Sequence, residues 1–157
     1  MSLLTQAQFR DRTTMPKADV DVVESIEAGY ILNRLKFHTS RINSRLRKRY
    51  ATPFAADGAG PELALGWLTD IVTPEVWLKR GVNPEDPQYV AADRMRDLAF
   101  ADLKEAADSD EGLFELPLRE STEGASGVTR GGPFGYAEAS PYSAMDVQAE
   151  IVRGGGR

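Results

Sequence analysis

The residues most able to do chemistry here are cations, and they are regularly spaced. Arg34, His38, Arg41, Arg45 and Lys48 recur at intervals of 4, 3, 4 and 3. On a helix that spacing gathers them on one face. Such a stripe is either a solvated face that keeps a helix soluble, or a contact for an acidic partner surface or passing nucleic acid. Arg34, Arg41, Arg45 and Lys48 are thus the candidates for touching a partner or the DNA in a channel. His38 is the single histidine and the chain has no cysteine. The lack of thiols excludes disulfides, thiol catalysis and cysteine metal sites, and fits a reducing compartment.

Other chemistry finds no support. There is no phosphate loop, dinucleotide fingerprint or zinc-binding histidine pair. Gly131-Gly132-Pro133-Phe134-Gly135 has glycines but lacks the strand-then-helix context of a phosphate cradle. Nothing positions a serine on a nucleophile elbow beside His38. Asp108, Asp110 and Glu111 read as a solvated helix end. The expectation is therefore a protein that is not an enzyme and needs no cofactor or metal.

Charge points the same way. The 157 residues sum to a net −5, which argues against general DNA coating. Between Arg34 and Arg49 there are seven Lys or Arg and no acid; between Asp102 and Glu123, eight acids and two bases. A chain so divided can meet its own copies head to tail, positive against negative, or carry two solvated helix faces. Hydrophobic residues make up 41% and charged residues 27%, an ordinary mix for one soluble domain. No apolar run approaches the roughly 20 residues of a membrane helix, and Met1–Thr5 has no signal-peptide pattern.

The elements that would position these residues are helical. Thr5-Gln6-Ala7-Gln8 has capping-box spacing and predicts a short helix to about Arg12, ended by Thr13, Thr14 and Met15-Pro16. From Asp21 to Arg49 only Gly29 opposes one long helix, at about 1 kcal/mol, and that helix would span roughly 40 Å. Its apolar residues fall on two nearly opposite faces. Val23, Ile26, Tyr30 and Phe37 form one; Ala28, Leu32, Leu35, Ile42 and Leu46, with Thr39, form the other. Two faces imply burial through the middle of a domain, or one contact within the subunit and one between subunits.

Pro61 opens a third helix with Leu63, Ala64, Trp67, Leu68, Ile71 and Val72 on its apolar face. At Thr73-Pro74 a new short helix starts and runs to about Arg80, stopped by Gly81; a single kinked helix is the alternative. Trp67 and Trp77 read as core or interface anchors. A last helix follows Asn83-Pro84-Glu85-Asp86-Pro87 and runs to about Asp108, with Ala92, Met95, Ala99, Leu103 and Ala106 on one face. The expected fold is all-α: a compact domain of about four helices over residues 1–108, with a long second helix. Residues 109–157 form an extended C-terminal arm. Glu111 to Leu118 reads as a short strand or extended arm, and the Gly-, Ser- and Pro-rich stretch after it carries Phe134, Tyr136 and Tyr142 as contacts for a partner.

The stretch Ile42-Asn43-Ser44-Arg45-Leu46-Arg47-Lys48-Arg49-Tyr50-Ala51-Thr52-Pro53-Phe54 resembles the phage head–tail connector or adaptor proteins, including the Mu-like head–tail joining proteins. The likeness is one of layout, from about Leu3 to Asp108: a short first helix, a long second helix ending in Ile-x-Ser-x-Leu, then Arg-Tyr and a proline. A helix with Leu63, Ala64 and Asp70-Ile71 and a final helix over Tyr89–Ala107 follow. The family pattern often has an acid where this chain has Asn43. The resemblance implies a structural virion protein of the neck, assembled in the host cytoplasm. It would form a homo-oligomeric, typically dodecameric ring between the portal protein and tail or stopper proteins, around the packaged DNA and without contact to membrane. The competing expectation is a small helical nucleic-acid-binding or regulatory protein that uses the basic stripe.

Overall fold

The structure, a computed structural model, describes residues 1–108 and 113–119. Five helices occur in the order α1 (Gln6–Arg12), α2 (Lys17–Ile26), α3 (Tyr30–Leu46), α4 (Glu62–Arg80) and α5 (Pro87–Asp108). No strand longer than a single bridge occurs among the described residues. The domain is all-α.

α1 begins as its sequence predicts. The Thr5 side chain accepts from the Gln8 amide, and the Gln8 side chain accepts from the Thr5 amide. The chain before it is also fixed: Leu3 and Leu4 are buried, and the Leu3 amide donates to Thr39 Oγ1 on α3 at 3.2 Å.

The long second helix does not form. α2 starts at Lys17, four residues before Asp21, and ends at Ile26. Glu27 is extended, and Gly29 takes a left-handed φ of 81°. Glu24 supplies the physical reason. Its carboxylate accepts from the Gly29 amide at 2.8 Å and the Ile31 amide at 3.2 Å. It thus satisfies amides that the new N-terminus of α3 leaves open. The turn lets α2 and α3 each pack against α4. It also resets the helical phase. Ile26 and Phe37, expected to share an apolar face with Val23, are exposed, whereas Val23 is buried. The buried face of α3 is Ile31, Leu35, His38, Thr39, Ile42 and Leu46.

A Cβ at Gly29 would meet nothing within 4 Å, so substitution there costs backbone strain alone. Gly29→Ala is expected to destabilise the domain by about 1–2 kcal/mol in urea unfolding. An unchanged midpoint would show that α2 and α3 can tolerate a different junction.

α4 runs unbroken from Glu62 to Arg80 with Pro74 inside it, so the break at Thr73-Pro74 is replaced by the single helix. Proline removes one ladder hydrogen bond, at a cost of about 3 kcal/mol. Burial of Ala64, Leu65, Trp67, Leu68, Ile71, Val72, Val76 and Trp77 on α4 outweighs that loss. Thr69 and Thr73 are buried too, and each hydroxyl donates to the carbonyl four residues earlier, at 2.9 and 2.8 Å. α4 ends at Gly81 in the left-handed conformation, as predicted.

α4 is the central element, packed against α2, α3 and α5. Ala92, Ala99, Leu103 and Ala106 of α5 are buried, but Met95, expected with them, is exposed. After α5 the segment from Leu113 to Arg119 lies against the helical domain. The amide of Ala51 donates to the carbonyl of Pro117, and that of Arg119 to Arg49, both at 2.8 Å. These bonds make an isolated antiparallel bridge between Tyr50 and Leu118. Leu116 is buried beneath it. Of the expected C-terminal segment, residues 113–119 are described; they make a turn and this one bridge and pack on the helices, and the rest lies outside the described residues.

Candidate functional site

α3 brings Arg34, Phe37, His38 and Arg41 to successive turns of one helix. Opposite them stand Glu75 on α4 and Phe100 on α5. Glu75 follows Pro74 and precedes the buried Val76 and Trp77, which fixes it against α3.

The inner part is an ion-pair cluster. Arg34 Nε meets Glu75 Oε2 at 2.6 Å, and His38 Nε2 meets Glu75 Oε1 at 3.1 Å. The i, i+4 spacing of Arg34 and His38 matches the two carboxylate oxygens. Burial opposes ionisation of Glu75, but the hydrogen bonds from His38 and Arg34 outweigh it and hold the carboxyl down at about 2. An ionised carboxylate only accepts, so His38 donates. His38 is buried. Its Nε2 is committed to this contact.

The outer part is a groove of about 460 Å³ between α3 and α5. Ile42, Ile71 and Leu103 line it with apolar surface, and Ser40, Ser44 and Arg45 add polar groups. Phe37 is 51% exposed. The Arg34 guanidinium lies 5.5 Å and that of Arg41 5.7 Å from its ring centre. Arg41 also lies 5.9 Å from the ring of Phe100. One guanidinium held between two aromatic rings is oriented without a carboxylate. The groove can hold an apolar or aromatic group while Arg41 and Arg45 meet an anion. No group of three or more metal-ligating side chains occurs among the described residues.

The predicted stripe therefore divides. Arg34 and His38 turn inward to Glu75. Arg41 stacks on aromatic rings. Arg45 is exposed on the last turn of α3, and Lys48 is exposed in the turn beyond it. Sequence reasoning missed Glu75 and Phe100. A lone acid within the apolar run from Ile71 to Trp77 was the available signal for Glu75; nothing local marked Phe100. Phe134, Tyr136 and Tyr142, expected as arm contacts, lie outside the described residues.

Comparison of the chain with protein-family models, with curated proteins and with solved structures finds no match.

Proposed function

We propose that this chain is a structural virion protein of a tailed phage or prophage, a head–tail connector subunit. It works by oligomerising into a ring between portal and tail around the DNA channel. One observation supports this reading above the others. Arg10, Arg12, Lys17, Lys79, Arg80 and Arg96 all meet carboxylates within the subunit. Arg41, Arg45, Arg47 and Lys48 meet none among the described residues; Lys36, Arg94, Lys104 and Arg119 also meet none, but the first four alone cluster in the C-terminal half of α3 or just past it. Beside Arg41, α3 exposes Phe37. A surface both cationic and apolar, on a chain of acidic total charge, suits a part that must bind its own copies and other proteins near DNA.

The reading is tested by cryo-electron microscopy of particles from the source phage or prophage. The expected result is a ring of this chain between portal and tail. Its absence from the particle would overturn the proposal. The same four cations support a second reading, a small nucleic-acid-binding protein. That reading would then require DNA binding by the isolated chain, falling steeply as salt rises.

A further inference from the structure

A second cleft, of about 350 Å³, lies against the first half of α5, away from the Phe100 groove. It is lined by Thr14, Pro16, Asp70, Thr73, Trp77, Gln88, Ala91, Ala92 and Met95. Asp70 supplies its charge, and no lysine, arginine or histidine lines it. Thr73 is already spent: its hydroxyl bonds the Thr69 carbonyl and Thr13 Oγ1. Asp70 has no hydrogen-bond or ion-pair partner among the described residues, although most carboxylates along α1, α2 and α4 have one. Burial without a partner pushes its carboxyl above the ordinary range. A half-buried, unpaired carboxylate in a cleft that Trp77 and Met95 also line suits a cation on an apolar stem, such as a lysine or arginine side chain.

The same chain carries cations to match. Arg45, Arg47 and Lys48 project from the end of α3, exposed and unpaired among the described residues. They belong to a different surface from the Asp70 cleft.

We infer that the Asp70 cleft receives the basic end of α3, Arg45 to Lys48, from a second copy of this chain. The contact joins two different surfaces, so it is head to tail and can propagate around a ring. This rests on the reading of the chain as a self-assembling subunit, and it names the residues that would join neighbours.

The chain has no cysteine, so single-cysteine variants of the full-length protein give an unambiguous readout. Met95→Cys marks the rim of the cleft, and Ser44→Cys marks α3 one turn before Lys48 while leaving every cation in place. The two variants are mixed at high concentration and oxidised. A mixed disulfide dimer is the expected product. Asp70→Lys in the Met95→Cys chain should lower its yield by roughly tenfold, and Asp70→Asn by less. Reversing Arg45, Arg47 and Lys48 to glutamate in the Ser44→Cys chain should restore the yield against Asp70→Lys, which an unfolded variant could not do. No mixed dimer, or a yield indifferent to Asp70, would overturn the contact. A mixed dimer from a chain that is absent from the particle would keep the contact and sink the connector reading. A ring in the particle without the mixed dimer would do the reverse.

Discussion

Glu75→Gln is expected to cost the domain about 3 kcal/mol at neutral pH. Glu75 titrates at about 2 in the folded chain against an ordinary 4.5. Each unit is worth about 1.4 kcal/mol. The sign follows from linkage. A carboxyl whose folded value is depressed contributes its full stability above its unfolded value, and loses it as pH falls through the folded one. The wild-type chain should therefore shed this contribution between about pH 4.5 and pH 2. The glutamine variant cannot, because it begins without it. Thermal unfolding of both proteins across that range provides the check. The gap should be roughly 10–20 °C at pH 7 for a domain of this size. It should close near pH 2. A gap of constant size would mean that packing around the side chain, and not its charge, carries the effect. The cluster also orients Arg34 against Phe37, so its loss would loosen one wall of the groove.

The second large effect is expected at Tyr50, which is fully buried. Its hydroxyl donates to the Ala106 carbonyl at 3.1 Å and accepts from the Leu113 amide at 2.8 Å. Ala106 lies in the last turn of α5, where carbonyls lack helical partners. One phenol thus caps α5 and anchors the segment that follows it. Tyr50→Ala should cost about 3–5 kcal/mol through the cavity and the two lost bonds. Tyr50→Phe keeps the ring, leaves both backbone groups unpaired, and should cost about 1–3 kcal/mol. Hydrogen exchange separates the roles. In the phenylalanine variant the amides of Ala51 and Arg119 should exchange faster, because they bridge the two segments, while the amides at the centre of α4 stay protected. Equal acceleration everywhere would mean that Tyr50 serves only the global core.

The helices were legible because their signals are local. The Thr5–Gln8 box, the Gly81 stop and the proline-rich entrance to α5 each act through groups a few residues apart. A reading of neighbours suffices for such features. Gly29 was visible as a weak point, yet whether it breaks the helix depended on where Glu24 sends its carboxylate. Propensity is a weak prior, and a capped turn with burial on both sides overrode it. At Pro74 the balance tipped the other way, because the buried face of α4 outweighs one missing hydrogen bond.

The candidate site was half legible for the same reason. The sequence alone determined that α3 carries a cationic stripe, that no thiol chemistry is possible, and that charge is segregated along the chain. Only the tertiary structure decided which cations remain for a partner. Arg34 and His38 are spent on Glu75, a residue 37 or more positions away in sequence, and Arg41 is held by Phe100, still further along. Asp70 is left without a partner because the packing of α4 against α5 brings it no cation. Helical spacing specifies a face, but only the packing of helices distant in sequence sets what that face meets.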